Sequence, residues 1–281
     1  MMKKLLGALA LFLTCTVSFA AGGSYPIEKA PNRINDMAAL QNGAKLFVNY
    51  CLNCHSANSM RYNKLTEIGL TEEEITKNLL FTTDKIGDLM HIAMTPADAK
   101  AWFGTTPPDL SVVARSRSVN LGPSGVDYLY TYLRTFYRDV SKGTGWNNLA
   151  FPDVGMPHAM WQMQGPRTLT KVQVHEVANG DTKQWERVTT VFDADGFSEV
   201  TTEPLADYKG KASESFKFEH PNPQAAAQFD SDMADLSNFL GWMAEPVQQL
   251  RKKIGVWVLL FLGLFFLVAW RLNAAYWKHV R

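Results

Sequence analysis

Cys51-Leu52-Asn53-Cys54-His55 decides how the rest of this chain is read. C-x-x-C-H is the spacing at which haem c is attached covalently. Residues three apart on a helical turn share a face, so Cys51 and Cys54 can each form a thioether with a haem vinyl group. His55 follows the second anchor and can offer a ring nitrogen to iron. The competing readings are weaker. Zinc needs about four protein ligands, and of the 3 cysteines Cys15 lies in a segment read below as a leader. A thioredoxin-like pair needs a βαβ context, which the flanks do not supply.

The two ends bound the setting. Met1-Met2-Lys3-Lys4 precedes an apolar run from Leu5 to Phe19, and Ser18-Phe19-Ala20 has small residues at both ends. This is the pattern of a secretory signal peptide over 1–20, cleaved after Ala20. Cys15 would be the lipidated residue of a lipoprotein, but Thr14 before it is bulky for that reading. Export agrees with the haem motif, because covalent haem is attached outside the bacterial cytoplasm.

Ile254 to Trp270 carries no charge and is almost wholly apolar. It is shorter than the roughly 20 residues that a hydrocarbon core of about 30 Å requires. A membrane anchor over 246–277 is therefore expected, with Trp257, Trp270, Tyr276 and Trp277 at interfacial positions. A buried core helix is the alternative, but a helix apolar all round and flanked by cations is more often a span. Arg251, Lys252 and Lys253 balance Arg271, Lys278 and Arg281, so the positive-inside rule is silent. The signal peptide then sets the orientation, with 21–245 outside the cytoplasm and the tail 278–281 within it. That outer part suffices for one well-packed core. A net charge of +1 lacks the basic footprint of a nucleic-acid binder.

Most of 21–245 reads as helix. Met37, Leu40, Ala44, Phe47 and Val48 recur at helical spacing up to the haem motif. Thr71-Glu72-Glu73-Glu74 is a capping box, and its glutamates suit a helix start better than a docking patch for a basic partner. After Pro123 and Gly125, the residues Tyr128, Leu129, Tyr132, Leu133 and Phe136 form an apolar helical stripe. Between Thr168 and Val191 the period changes, and Asn179-Gly180 is a hairpin signal. Asp193 to Pro223 reads as an extended surface excursion, which makes 167–223 an insert. Gln224 to Met243 returns to helical periodicity and is expected to pack against the helix that leads into Cys51.

A second axial ligand would hold the iron six-coordinate, and a thioether there raises the reduction potential. Met156 stands out in Phe151-Pro152-Asp153-Val154-Gly155-Met156-Pro157, because Gly155 and Pro157 can present it at a fixed angle. Met94 is its rival, with Met160 and Met163 behind. His158 or His91 would make a bis-histidine haem of lower potential. Core packing is the usual role of any single methionine.

Cys51-Leu52-Asn53-Cys54-His55-Ser56, Arg61-Tyr62, Pro107-Pro108-Asp109-Leu110-Ser111, Arg115-Ser116-Arg117, Phe151-Pro152 and Gly155-Met156-Pro157 follow in order. Together they resemble the cytochrome c1 family, the haem c subunits of cytochrome bc1 complexes. The haem motif is shared by many cytochromes; Pro-Pro-Asp-Leu-Ser with its trailing arginines is far more specific. The resemblance covers most of the chain. It implies a mainly α, cytochrome c-like monohaem domain with a small β-hairpin insert and one C-terminal transmembrane helix. It also implies that Met156 is the sixth ligand, that Arg117 pairs with a haem propionate and that Tyr128 lies against the haem. Pro107 and Pro108 suit a rigid, donor-poor wall against the macrocycle, and a guanidinium suits a propionate. Phe103-Gly104-Thr105-Thr106 departs from the Asn-Gly-Ala of mitochondrial relatives, and Pro157-His158-Ala159 departs from their Ala-Pro-Pro. Contacts of those loops are not carried over.

The function so implied is that of a membrane-anchored electron carrier beside cytochrome b in a dimeric bacterial inner-membrane complex. It would take single electrons from a Rieske iron–sulfur protein and pass them to a soluble cytochrome c, transforming no substrate itself. Three other readings stand beside it. A free-standing anchored cytochrome would feed a terminal oxidase without such partners. A haem enzyme such as a peroxidase needs an open axial position. A haem sensor needs a signalling domain, and too few residues follow the apolar run to form one.

Overall fold

Asp36 starts the helix that leads into the haem motif. Its carboxylate accepts a hydrogen bond from the Ala39 amide (3.2 Å), satisfying one of the free donors of a helix start. Leu40, Ala44 and Leu46 then turn inward along α1 (Met37–Leu46), and its last turn widens into a π turn over Phe47–Cys51. The structure, a computed structural model, describes residues 25–179 and 182–279. The expected signal peptide, Cys15, Gly180 of the Asn-Gly turn and the last residues of the expected tail lie outside them. The described chain divides into two compact units.

The larger unit takes in 27–134, 155–167 and the chain from Glu219 onward. After the haem motif come β1 (Ala57–Arg61), a 3-10 turn (Tyr62–Ile68), α2 (Glu72–Asn78) and β2 (Leu89–Met90), which pairs antiparallel with β1. The capping box is present at α2: Thr71 Oγ1 accepts from the Glu74 amide (3.2 Å) and the Glu74 carboxylate accepts from the Thr71 amide (2.8 Å). Next come α3 (Pro96–Phe103), α4 (Val113–Ser116), α5 (Gly125–Arg134), α6 (Trp161–Gln164) and α7 (Pro223–Ala244).

The expected packing of α7 on α1 is found, and small size makes it possible. A Cβ on Gly43 would lie 2.5 Å from both the Asp235 carbonyl oxygen and Phe239 Cβ, so only glycine lets the two helices cross this closely. Beside the crossing, the rings of Phe47 and Phe239 lie 5.7 Å apart. Arg33 pairs with Asp235 at 2.6 Å, and the Asn42 amide donates to Asp232 and Asp235. The core of this unit runs from Leu40, Phe47 and Leu52 through Tyr62, Leu65 and Leu133 to Met233 and Leu240.

Helix α7 does not run on into the apolar segment. Glu245 is extended (φ −156°), Pro246 follows, and α8 (Gln248–Tyr276) starts afresh, with Glu245 accepting from Arg251 Nη2 at 3.1 Å. Its 29 residues have a mean hydropathy of 2.2 in the most apolar window, and none of that window is buried. A helix of about 43 Å with Val256, Leu259, Phe261, Leu264 and Phe266 all exposed is long and apolar enough to cross a membrane.

The smaller unit contains 135–154 and 168–218, and it corrects the sequence reading. The expected small hairpin is one half of a four-stranded sheet in the order β7-β6-β5-β8, formed by β5 (Thr168–Asn179), β6 (Thr182–Phe192), β7 (Ser198–Leu205) and β8 (Ser213–Glu219). β5 and β6 pair antiparallel from Leu169 opposite Phe192 to Asn179 opposite Thr182. The supposed excursion from Asp193 to Pro223 holds the other two strands. Residues 198–204 of β7 are all exposed, so no apolar alternation marked it as strand. β3 (Phe136–Arg138) and β4 (Trp146–Asn148) form a separate antiparallel ribbon. Tyr137, Leu149 and Leu169 make a small core, with Phe192 4.8 Å from the Tyr137 ring.

Burial, helped by the nearby charges of Asp139 and Asp153, pushes the Tyr137 phenol up to about 12. An unfolded phenol titrates near ~10, so on raising the pH the unfolded chain loses this proton first. The stabilisation is whole below about pH 10 and is lost as the pH climbs toward about 12. Tyr137→Phe is expected to flatten that alkaline loss in denaturation midpoints followed by near-ultraviolet dichroism. An equally steep loss in the variant would refute the assignment.

Candidate haem site

The two cysteines and the histidine share one tight turn. The amides of Cys54 and His55 both donate to the Cys51 carbonyl, at 3.1 and 2.9 Å, directly after the π turn. Both thiols are free and half-buried. Burial, with Cys54 adding, pushes the Cys51 thiol up to about 12. A thiol held protonated is a poor redox nucleophile.

His55 is buried, and its Nδ1 lies 2.7 Å from the Pro108 carbonyl oxygen. A carbonyl can only accept, so Nδ1 carries the proton and Nε2 keeps the lone pair that a metal needs. Burial pulls the imidazole below its ordinary range, against the opposing effects of the Pro108 bond and Asp109. A neutral ring results.

The loop that supplies this carbonyl is fastened to the segment after the haem motif. The Leu110 amide donates to the Ser56 carbonyl (2.9 Å), the Asn58 amide to Asp109 Oδ2 (2.7 Å) and the Ser59 amide to Ser111 Oγ (2.9 Å). Four of the five residues of Pro-Pro-Asp-Leu-Ser, Pro108 to Ser111, thus have work beyond forming a wall. The proline carbonyl orients the histidine, and the Asp and Ser side chains pin the loop.

A second group lies along α5. Arg117 sits at the end of α4 with its guanidinium 5.4 Å from the Tyr128 ring centroid. Tyr128 stacks on Tyr132, one helical turn away, at 6.0 Å and 19°. The Tyr132 hydroxyl lies 3.4 Å from the Met156 sulfur. Burial raises the Tyr128 and Tyr132 phenols above their ordinary range. Cys51, Tyr128 and Tyr132 all border the same hydrophobic core. Tyr132 was legible in the sequence only as one member of an apolar stripe, because a tyrosine at helical spacing does not announce where its hydroxyl points.

Four of the rivals of Met156, namely Met160, Met163, His91 and His158, have other contacts. Met160 is fully buried in the core and Met163 packs on it. His91 is exposed, with Nδ1 2.5 Å from Asn58 Oδ1. His158 is buried, and with the Gln164 amide oriented to satisfy both neighbours, its nitrogen donates to His158 Nε2 (2.5 Å) and its oxygen accepts from Arg167 Nε (2.5 Å). Arg167 donates in turn to the Arg134 carbonyl at the end of α5 (2.9 Å). Met94 is half-buried before α3, and Arg115 is exposed. In the smaller unit, the loop before Met156 is shaped by two buried amides. Asn148 Oδ1 accepts from the amides of Ala150 and Phe151, and Asn147 Oδ1 from that of Asp153.

Two unbridged thiols on one turn, an imidazole whose Nε2 keeps its lone pair and a thioether beside a tyrosine hydroxyl are the donor types that a c-type monohaem cytochrome uses. The comparisons point the same way. The model of the family described as "Cytochrome C1 family" matches residues 28–280. The chain is 39% identical to "Cytochrome c1" of Allochromatium vinosum over 99% of this chain and 100% of that protein. It is 37% identical to "Ammonia monooxygenase gamma subunit" of Nitrosomonas europaea over 100% of this chain and 99% of that protein. To "Cytochrome b/c1" of Bradyrhizobium diazoefficiens it is 24% identical over 82% of this chain and 31% of that longer protein. The chain belongs to the cytochrome c1 family. Its cofactor is a covalently bound haem c, and it serves as a membrane-anchored electron-transfer subunit of the cytochrome bc1 complex.

Proposed function

We propose that this chain relays single electrons from a Rieske iron–sulfur protein to a soluble cytochrome c. In this reading 21–245 lie on the periplasmic side of a bacterial inner membrane, 246–277 anchor them, and the complex is a dimer that includes cytochrome b. The observation that carries the reading is the 2.7 Å contact between His55 Nδ1 and the Pro108 carbonyl. It joins the general haem motif to the more specific Pro-Pro-Asp-Leu-Ser loop in one arrangement.

Haem c supplies a one-electron ferric–ferrous couple when bound. Cys51 and Cys54 would hold it by thioethers, and His55 Nε2 and Met156 Sδ would be the protein donors to its iron. Pro107 and Pro108 would wall one side of it, Tyr128 would lie against it, and Arg117 would pair with a propionate by charge-assisted hydrogen bonds. With both protein donors bound, no position would be open for oxygen or peroxide. That counts against a haem enzyme, and equally against oxygen chemistry at this haem of the kind the Nitrosomonas relative's name suggests.

The test is to solubilise membranes gently, capture the chain by a tag and assay quinol-dependent reduction of cytochrome c. Inhibitor-sensitive activity, an iron–sulfur signal and two b haems per c haem are expected. A lone c haem without quinol activity, from membranes that retain such activity elsewhere, would favour a free-standing anchored carrier. Ready binding of carbon monoxide by the reduced sample would overturn ligation by Met156.

A further inference from the structure

We infer that Tyr132 is a positioning residue for the electron-transfer site: its hydroxyl donates a hydrogen bond to the Met156 sulfur and thereby raises the reduction potential. The inference rests on Met156 as axial ligand. A thioether sulfur has lone pairs and no hydrogen, so in the 3.4 Å contact the phenol must be the donor. One lone pair can then serve iron while the other accepts from Tyr132. The hydroxyl is held from behind as well. Tyr132 and Tyr128 stack across one turn of α5, and the Arg117 guanidinium lies over the Tyr128 ring, so the phenol cannot swing away without breaking the stack.

The sign follows from the demands of the two oxidation states. A donor on the sulfur withdraws electron density that the sulfur would otherwise give to iron. Ferric iron relies on that density more than ferrous iron does, so the bond weakens the oxidised state more. The ferrous state is favoured and the potential rises. The same bond fixes which lone pair of the sulfur is left for the metal.

Tyr132→Phe keeps the ring and its stack and removes only the hydroxyl. In the purified complex the variant is expected to retain the long-wavelength band that reports sulfur bound to ferric iron. Its midpoint potential should fall, shifting electron exchange with a reference couple about threefold toward the oxidised form, as for one modest hydrogen bond. The pH at which that band is lost on alkaline titration should rise, because the ferric iron–sulfur bond is stronger. Incorporating a fluorinated tyrosine at position 132, a stronger donor of the same shape, should move the potential the other way. It also decides the matter if the phenylalanine variant does not accumulate. An unchanged potential with the band present in both proteins would overturn the inference and leave Met156 ligation standing. Absence of the band from the unmodified protein would instead overturn Met156 ligation, and this inference with it.

Discussion

Replacing Met156 by leucine is expected to lower the haem midpoint potential sharply and to stop quinol–cytochrome c turnover while the haem stays covalently attached. Leucine approximates the volume of methionine, so the surroundings of this half-buried side chain are little disturbed; only the soft donor, and the partner of the Tyr132 hydroxyl, are lost. Axial ligation spans about 0.8 V across haem proteins, and a fall on the order of 0.2 V lies well within that range. At about 59 mV per tenfold for one electron, such a fall exceeds a thousandfold in the equilibrium for accepting an electron. Redox titration and carbon monoxide binding on the reduced protein measure the two consequences. An unchanged potential, or no gain in carbon monoxide binding, would remove Met156 from the ligand set. Met156→Lys is a poorer probe, since an amine can keep the iron six-coordinate.

The second large effect is expected at Gly125. A Cβ there would stand 1.7 Å from the Ala114 carbonyl oxygen and 2.6 Å from its carbon. The obstruction is backbone, so no side-chain rotation relieves it. Ser118 occupies the same junction, its hydroxyl donating to Ala114 and accepting from the Gly125 amide, both at 2.8 Å. Gly125→Ala therefore has to drive α4 and α5 apart. The cost is expected to be about 3 kcal/mol, or a drop of about 10 °C in Tm. Gly143, where an added methyl would meet nothing within 4 Å, is the control, expected within about 0.5 kcal/mol as Gly143→Ala. Because α5 carries Tyr128 and Tyr132, the ferric sulfur-to-iron band should weaken along with stability. A loss below about 1 kcal/mol would show that the junction can open without strain.

Much of the candidate site could be proposed from the sequence because its chemistry is local. Cys51, Cys54 and His55 lie within one turn, and Gly155 and Pro157 bracket Met156 in the sequence itself. The capping box at Thr71 and the packing of α7 on α1 likewise follow from short-range spacing and periodicity. The sheet was only half legible. β5 and β6 have alternation and a turn signal, whereas β7 is exposed on both faces and offers no pattern to read. The bond from His55 to the Pro108 carbonyl was hidden for another reason. A backbone acceptor has no letter in the sequence, and here it lies 53 positions from its donor.

What the sequence by itself determined is the covalent haem motif and the apolar segment able to enter a membrane. These depend on residue type, short spacing and hydropathy, which need no tertiary contact. What only the tertiary structure decided is how the donors are aimed. The Pro108 carbonyl selects the tautomer of His55, the Tyr132 hydroxyl meets the Met156 sulfur, and Gly125 lets α5 approach α4 closely. Each depends on atoms brought together across a long stretch of chain by a shared core, and only the folded backbone specifies that meeting.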